Sequence, residues 1–224
     1  MGEIRTFVFI HSETTGLPER KDMPKMNELS IVAVQAGHIQ MNVFPRVQNK
    51  LHFCFNPCKE ISPHAKYMSE LTNELLEEMP KFCKKTVEMI HDFLERLPQP
   101  ICLVAHSGNT FDFPILQNEI STTGSPLAQK FVNYLCADSV EIFEDIHIAT
   151  TTDFSHFNPR PSFKLPDVYY RLTNQTPEHL IRAEDDVLRL IRCAAVSGKN
   201  FVKWAHLKAK QNWNMENWKH NLKI

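Results

Sequence analysis

Apolar residues early in the chain run or alternate at strand spacing. Phe7-Val8-Phe9-Ile10 is an unbroken apolar stretch that stops at a polar step, His11-Ser12-Glu13-Thr14-Thr15, and turns through Gly16 and Pro18. That is the pattern of a buried strand delivering polar side chains to its C-terminal end. Residues 17–27 then read as a polar loop. Residues 28–35 alternate and predict a second strand, with Gly37-His38 as a turn, and residues 51–55 alternate again and predict a third, closed by Asn56-Pro57. Three strands in succession before the first helix predict an antiparallel start to the sheet.

The period changes after residue 69. Ser69 or Thr72 can cap a short helix whose apolar face is Leu71, Leu75, Leu76 and Met79, and Phe82, Val87, Ile90, Phe93, Leu94 and Leu97 recur at helical spacing in a longer one. Pro98 and Pro100 stop it. Ile101-Cys102-Leu103-Val104-Ala105 has the continuous apolar character of a strand buried on both faces, and it too ends in a polar step, His106-Ser107-Gly108-Asn109. A helix is predicted over 110–120, with Phe111, Ile115 and Leu116 inward and Asp112 in its first turn. A fifth strand follows over 131–137 and a helix over 139–148. Residues 150–162 are aperiodic, 163–172 form a short helix interrupted near Pro166, 182–197 an amphipathic helix ended by Gly198, and 201–213 a last helix before a polar tail with Trp218. The pattern predicts an α/β architecture in one domain, residues 1–224: a five-stranded mixed sheet flanked by helices.

Charge narrows the possible partners. The 25 Lys and Arg balance 26 Asp and Glu, so nucleic acid, if bound, is held by a local site rather than by a global basic field. No apolar run reaches the roughly 20 residues of a membrane span, so no membrane association is expected, and the first residues carry no secretory pattern. The six cysteines form no Cys-x-x-Cys pair and several sit in apolar runs, which points to reduced thiols in a cytoplasmic or nuclear setting.

Three carboxylates stand at strand ends or open helices: Glu13, Asp112 and Asp186. Converging, they would suit hard divalent ions, which prefer oxygen ligands, and two-metal phosphodiester chemistry needs such convergence. Taken singly, each is better read as a solvated surface carboxylate, the default for exposed acids, and Leu17 and Phe111 are equally well read as core.

The surroundings carry a resemblance. His11-Ser12-Glu13-Thr14-Thr15-Gly16-Leu17-Pro18 resembles the first motif of DnaQ-like 3′ to 5′ exonucleases, an Asp, any residue, then Glu-Thr-Thr-Gly-Leu-Pro. The stretch from Leu103 to Leu116 resembles the second, and Ala183-Glu184-Asp185-Asp186-Val187 the third. Pro45-Arg46-Val47, Asn49-Lys50-Leu51 and residues 172–177 extend the likeness to the TREX-type, or three-prime repair, exonucleases over nearly the whole chain. The resemblance implies an RNase H-like exonuclease fold of the DEDDh class. It implies metal binding by Glu13, Asp112 and Asp186, with Mg²⁺ or Mn²⁺ as cofactor. It further implies contacts of Thr14, Leu17, His106 and Phe111 with the 3′ end of single-stranded DNA or RNA, and a homodimer joined through a sheet edge.

The same resemblance marks departures. The Asp of motif one is replaced by His11, and the general base expected five residues before Asp186 by Ile181; His179 is a candidate substitute. A neutral imidazole offers one nitrogen and no charge, so His11 cannot bridge two Mg²⁺ ions, and weakened metal binding is expected; Mn²⁺ or Zn²⁺ would suit a nitrogen beside Glu13 and Asp186 better. Ile181 cannot carry a proton, and losing a positioned base costs about 10² to 10⁴ in rate. Ser107 replaces an Asn, and the 150–162 stretch has one Arg, Arg160, where relatives have several basic residues. The expectation is a nucleic-acid-binding pseudoenzyme. Its rivals are an active exonuclease with adapted ligands and a protein-interaction scaffold.

Overall fold

The centre of the sheet is β1 (Thr6–Thr14), and its alternation explains the two cores. Phe7 and Phe9 point to one face and Val8 and Ile10 to the other, each side chain lost to solvent. β2 (Met26–Gln35) pairs with it antiparallel from Thr6 opposite Gln35 to Thr14 opposite Met26, with an irregularity between Glu13 and Thr14. β3 (Asn49–Cys54) continues antiparallel on β2, while β4 (Ile101–Ala105) and β5 (Leu135–Asp138) add in parallel on the other side. The order β3-β2-β1-β4-β5 is a mixed five-stranded sheet. The structure, a computed structural model, describes residues 2–19, 22–150, 161–178 and 181–211. His179, Arg160 and the Trp218 tail lie outside the described residues.

Helices cover both faces. α1 (Ala36–Ile39), α6 (Ser139–Thr150), α7 (Leu165–Thr173), α8 (Ala183–Ser197) and α9 (Lys199–Lys208) pack over the Phe7 and Phe9 side. α3 (Lys84–Glu95), α4 (Asp112–Thr122) and α5 (Ala128–Phe131) pack over the Val8 and Ile10 side. Gly198 joins α8 to α9 at φ +52°, a conformation that strains any residue with a Cβ, and a Cβ there would also displace the Asn42 side-chain amide. Among the described residues no helix is long and apolar enough to cross a membrane.

Several boundaries depart from the sequence pattern. Gly37-His38 lies inside the short helix α1 rather than a simple turn. Residues 71–79 form turns instead of a helix: the Asn73 side chain accepts from Ile61 N–H at 3.1 Å and donates to Lys59 C=O at 2.9 Å, and Leu75 is left 66 % exposed. The helix in this region is α2 (Pro63–Ser69), capped by Ser62, whose Oγ accepts from Ala65 N–H at 3.2 Å, with Pro63 in the first turn. Pro166 likewise opens α7 rather than interrupting it. The stretch 131–137 divides into the end of α5 and β5, because Phe131 is needed in the core on the helical side.

Candidate functional site

At the C-terminal end of β1, the alternation that buries Phe7 and Phe9 brings His11 and Glu13 to the same face. α8 crosses that face with Asp186 in its first turn, and α4 begins at Asp112 just beyond β4. The result is a ring of carboxylates around an imidazole. His11 Nε2 lies 3.6 Å from Glu13 Oε1 and 3.7 Å from Asp186 Oδ2, and His11 Nδ1 lies 3.5 Å from Asp112 Oδ1. Burial disfavours a charged ring, but Asp112, with Glu13 and Asp186 adding to it, outweighs burial and raises the His11 pKa well above the ordinary histidine value. The ring stacks on Phe111 at 6.5 Å and 27°.

Each carboxylate is held differently. Asp112 is 1 % exposed; its Oδ1 accepts from Ser12 N–H at 2.9 Å and Ser12 Oγ at 3.0 Å, while its Oδ2 is buried without a protein partner. Asp186 offers Oδ2 to His11, but its Oδ1 is taken by the buried Arg189 guanidinium, which also donates to the Glu178 carbonyl at 2.9 Å. Beside Glu13 on the sheet stands Glu28, which accepts from the Ala183 N–H at 3.0 Å and so fixes the start of α8. Arg189 was not singled out in the sequence, although the three-residue spacing from Asp186 on a helix face is the signal that could have found it.

A cleft of about 700 Å³ opens over this ring. His11, Glu13, Thr14, Leu17, Phe111, Ile181 and Asp186 all line it, and Leu17 is 69 % exposed, which rules out the core reading of that residue. Asp112 does not line the cleft; it lies buried behind His11, 3.5 Å from its Nδ1. His106 faces a separate, smaller cavity beyond His11 and Asp186, with its Nδ1 2.8 Å from Ser139 Oγ and its Nε2 2.8 Å from the Phe163 carbonyl. The opposite wall is α2 with His64 and Met68, together with Lys59 and Glu60 ahead of it. Ser62 N–H donates to Thr15 C=O at 2.9 Å and docks that wall to the end of β1. The Ser-Pro signal at 62–63 was there to be read.

The second polar step is anchored by Asp138. Its carboxylate accepts from the Ser107, Asn109 and Val140 N–H groups, each at 3.0 Å, and so holds Ser107 at φ +60°, a conformation that Asn tolerates better than Ser. Gly108 is required here, because a Cβ would meet the Phe113 ring at 2.6 Å. Burial pushes the Asp138 pKa up from 3.8 to about 6 although the three N–H groups oppose it. A carboxyl raised in the folded state contributes stability in full below its unfolded pKa and loses it as pH rises through the folded value, here about 3 kcal/mol between roughly pH 4 and 7. Denaturant unfolding of the parent and Asp138→Asn at pH 5 and pH 7.5 should therefore show a smaller pH difference in the variant; equal differences would contradict this.

The donor set fits one kind of metal occupancy better than another. The donor atoms of His11, Glu13 and Asp186 lie within 4.8 Å of one another, a nitrogen and two oxygens around one point. A pair of Mg²⁺ ions does not fit, because the imidazole fills the space between the carboxylates and Arg189 holds one oxygen of Asp186.

The architecture and the carboxylate ring together define an α/β protein of the RNase H-like exonuclease fold. Among solved structures it superposes on a bacterial exonuclease I with a TM-score of 0.70 at 14 % identity, covering 91 % of this chain and 43 % of that one. It also superposes on a 3′-exonuclease described in recognition of a histone mRNA stem-loop, with a TM-score of 0.65 at 13 % identity, covering 88 % and 83 %. No family model matches the chain. Among curated proteins it is 34 % identical to three-prime repair exonuclease 1 of Bos taurus and 32 % to that of Homo sapiens, covering 93 % of this chain and 69 % of each. It is 30 % identical to three prime repair exonuclease 2 of Mus musculus, covering 92 % and 89 %. The chain belongs to the three-prime repair exonuclease family.

Proposed function

We propose that this chain is a pseudoenzyme of its family, keeping a pocket for the 3′ end of single-stranded DNA or RNA but impaired as a nuclease. The observation that carries the reading is the His11 imidazole seated 3.5–3.7 Å from three carboxylates, where it neutralises the negative charge that would otherwise draw in divalent ions. Ile181, lining the same cleft, supplies no group able to take a proton from water. In this reading Leu17 and Phe111, which line the cleft, pack on bases, and Thr14 in the cleft and His106 in the smaller cavity beside it contact the terminal nucleotides; stacking on one ring is worth on the order of 1–3 kcal/mol per base. Solved relatives of this fold are described with single-stranded DNA and with an RNA 3′ end, which supports the ligand class.

A 3′-labelled single strand incubated with Mg²⁺ or Mn²⁺ is expected to stay essentially full-length. Robust, metal-dependent shortening that disappears in Glu13→Ala would overturn the reading. It would favour instead an adapted exonuclease, which the clustering of His11, Glu13 and Asp186 supports, with one nitrogen-tolerant ion such as Mn²⁺. A bound ion of this kind would polarise a phosphodiester oxygen. Strand binding should weaken with salt as phosphate contacts are screened; no binding at any salt would leave a protein-interaction scaffold. β3 forms an edge of the sheet, and we place the homodimer contact there. A monomeric mass in solution would refute that contact.

A further inference from the structure

A second set of ligand-type side chains lies on the same face of the sheet, one strand further from the cleft. In the β2–β3 ladder Cys54 stands directly opposite Glu28, and His52 precedes Cys54 by two residues, so all three side chains project to one face. Glu28 is 5 % exposed and is oriented from both sides. Its Oε2 accepts from Ala183 N–H at 3.0 Å, and its Oε1 lies 3.2 Å from His52 Nε2. The donor atoms of Glu28, His52 and Cys54 lie within 4.8 Å of one another. An ion pair with a helix-start contact explains Glu28 and His52 but gives no reason for a thiol in the same place.

We propose that Glu28, His52 and Cys54 form a zinc site, separate from the His11 cluster. Sulfur, nitrogen and oxygen around one point suit Zn²⁺ and exclude Mg²⁺ or Ca²⁺, which require oxygen ligands. Three protein ligands leave the fourth tetrahedral position to water, reached from the solvent-facing side of His52. On binding, the Cys54 thiol gives its proton to solvent and its sulfur bonds the ion, so the net change is Zn²⁺ taken up and H⁺ released. Glu28 keeps Ala183 N–H on its other oxygen while it coordinates. The ion therefore ties the edge strand β3 through β2 to the first turn of α8, the turn that carries Asp186.

The test uses the full chain stripped of metal by a chelator and then titrated with Zn²⁺ and, for its spectrum, Co²⁺. A sulfur-to-cobalt charge-transfer band should appear in the parent and persist in Cys58→Ser and Cys83→Ser, which remove the exposed thiols, and in His11→Ala, which removes the other cluster. It should be lost in Cys54→Ser, and His52→Ala should weaken Zn²⁺ binding at least about tenfold. At Zn²⁺ about 100 times its Kd, the melting temperature of the parent should rise by roughly 5–10 °C, and that of Cys54→Ser should not. Absence of the band, a band that survives Cys54→Ser, or a thermal shift abolished by His11→Ala but not by Cys54→Ser would overturn the assignment.

Discussion

Replacing His11 by Asp and Ile181 by His together is expected to raise metal-dependent shortening of a 3′-labelled single strand by at least about 10²-fold, and by about 10⁴ if the restored base reaches its full effect. The reason lies in the centre of the carboxylate ring. His11→Asp removes the imidazole that lies within 3.5–3.7 Å of Glu13, Asp112 and Asp186 and puts a fourth carboxylate in its place, reopening oxygen ligation for two ions. Ile181→His adds a proton acceptor at the cleft wall. Neither change should suffice alone, since a base without ions has no activated water and ions without a base must release the proton unaided. The single variants should therefore sum to less than the double, the mark of groups acting as a unit. Single-turnover rates of the parent, both singles and the double decide it. No gain in the double over the parent would mean that the pocket has lost more than these two groups.

Phe201→Ala should cost about 3–5 kcal/mol of folding stability, the range for truncating a buried aromatic, and lower the melting temperature by roughly 6–20 °C. Phe201 on α9 is wholly buried and sits within 5.6 Å of Phe7, 6.1 Å of Phe9 and 5.8 Å of Phe143, ring centre to ring centre. Phe7 and Phe9 are the strand residues immediately preceding His11 and Glu13 on the same face, so the aromatic cluster is the foundation of the site. A thermal melt within a degree or two of the parent would show that the cluster re-packs around the loss.

Much of this arrangement could be read from the chain because its signals are local. The Phe7–Ile10 run, the alternation of β2 and the apolar Ile101–Ala105 stretch each fix a strand without reference to the rest, and the amphipathic spacing from Ala183 to Ser197 fixes α8. The resemblance of their surrounding motifs then implies that Glu13, Asp112 and Asp186 meet, and the fold brings all three around His11. The clearest miss, the helix expected over 71–79, comes from competition by distant partners. Leu71, Leu75, Leu76 and Met79 have helical spacing, yet Asn73 is claimed by the backbone at Lys59 and Ile61, and the segment turns instead. The sequence shows that His11 replaces an acid. Only the fold shows its ring filling the gap between three others, or Arg189 reaching from the same helix to occupy one oxygen of Asp186.

That guanidinium has a consequence for any attempt to reawaken the pocket. A cation fixed one helical turn from the ligand it occupies acts at an effective concentration of about millimolar or above, and dilution cannot remove it. An incoming ion can use the Oδ2 that faces His11, but it must displace this built-in rival to hold both oxygens of Asp186. If Asp186 holds an ion as proposed, the metal concentration at which a restored enzyme reaches half its rate would depend on that contest as well as on the number of carboxylates, and Arg189 would then set a threshold on metal response.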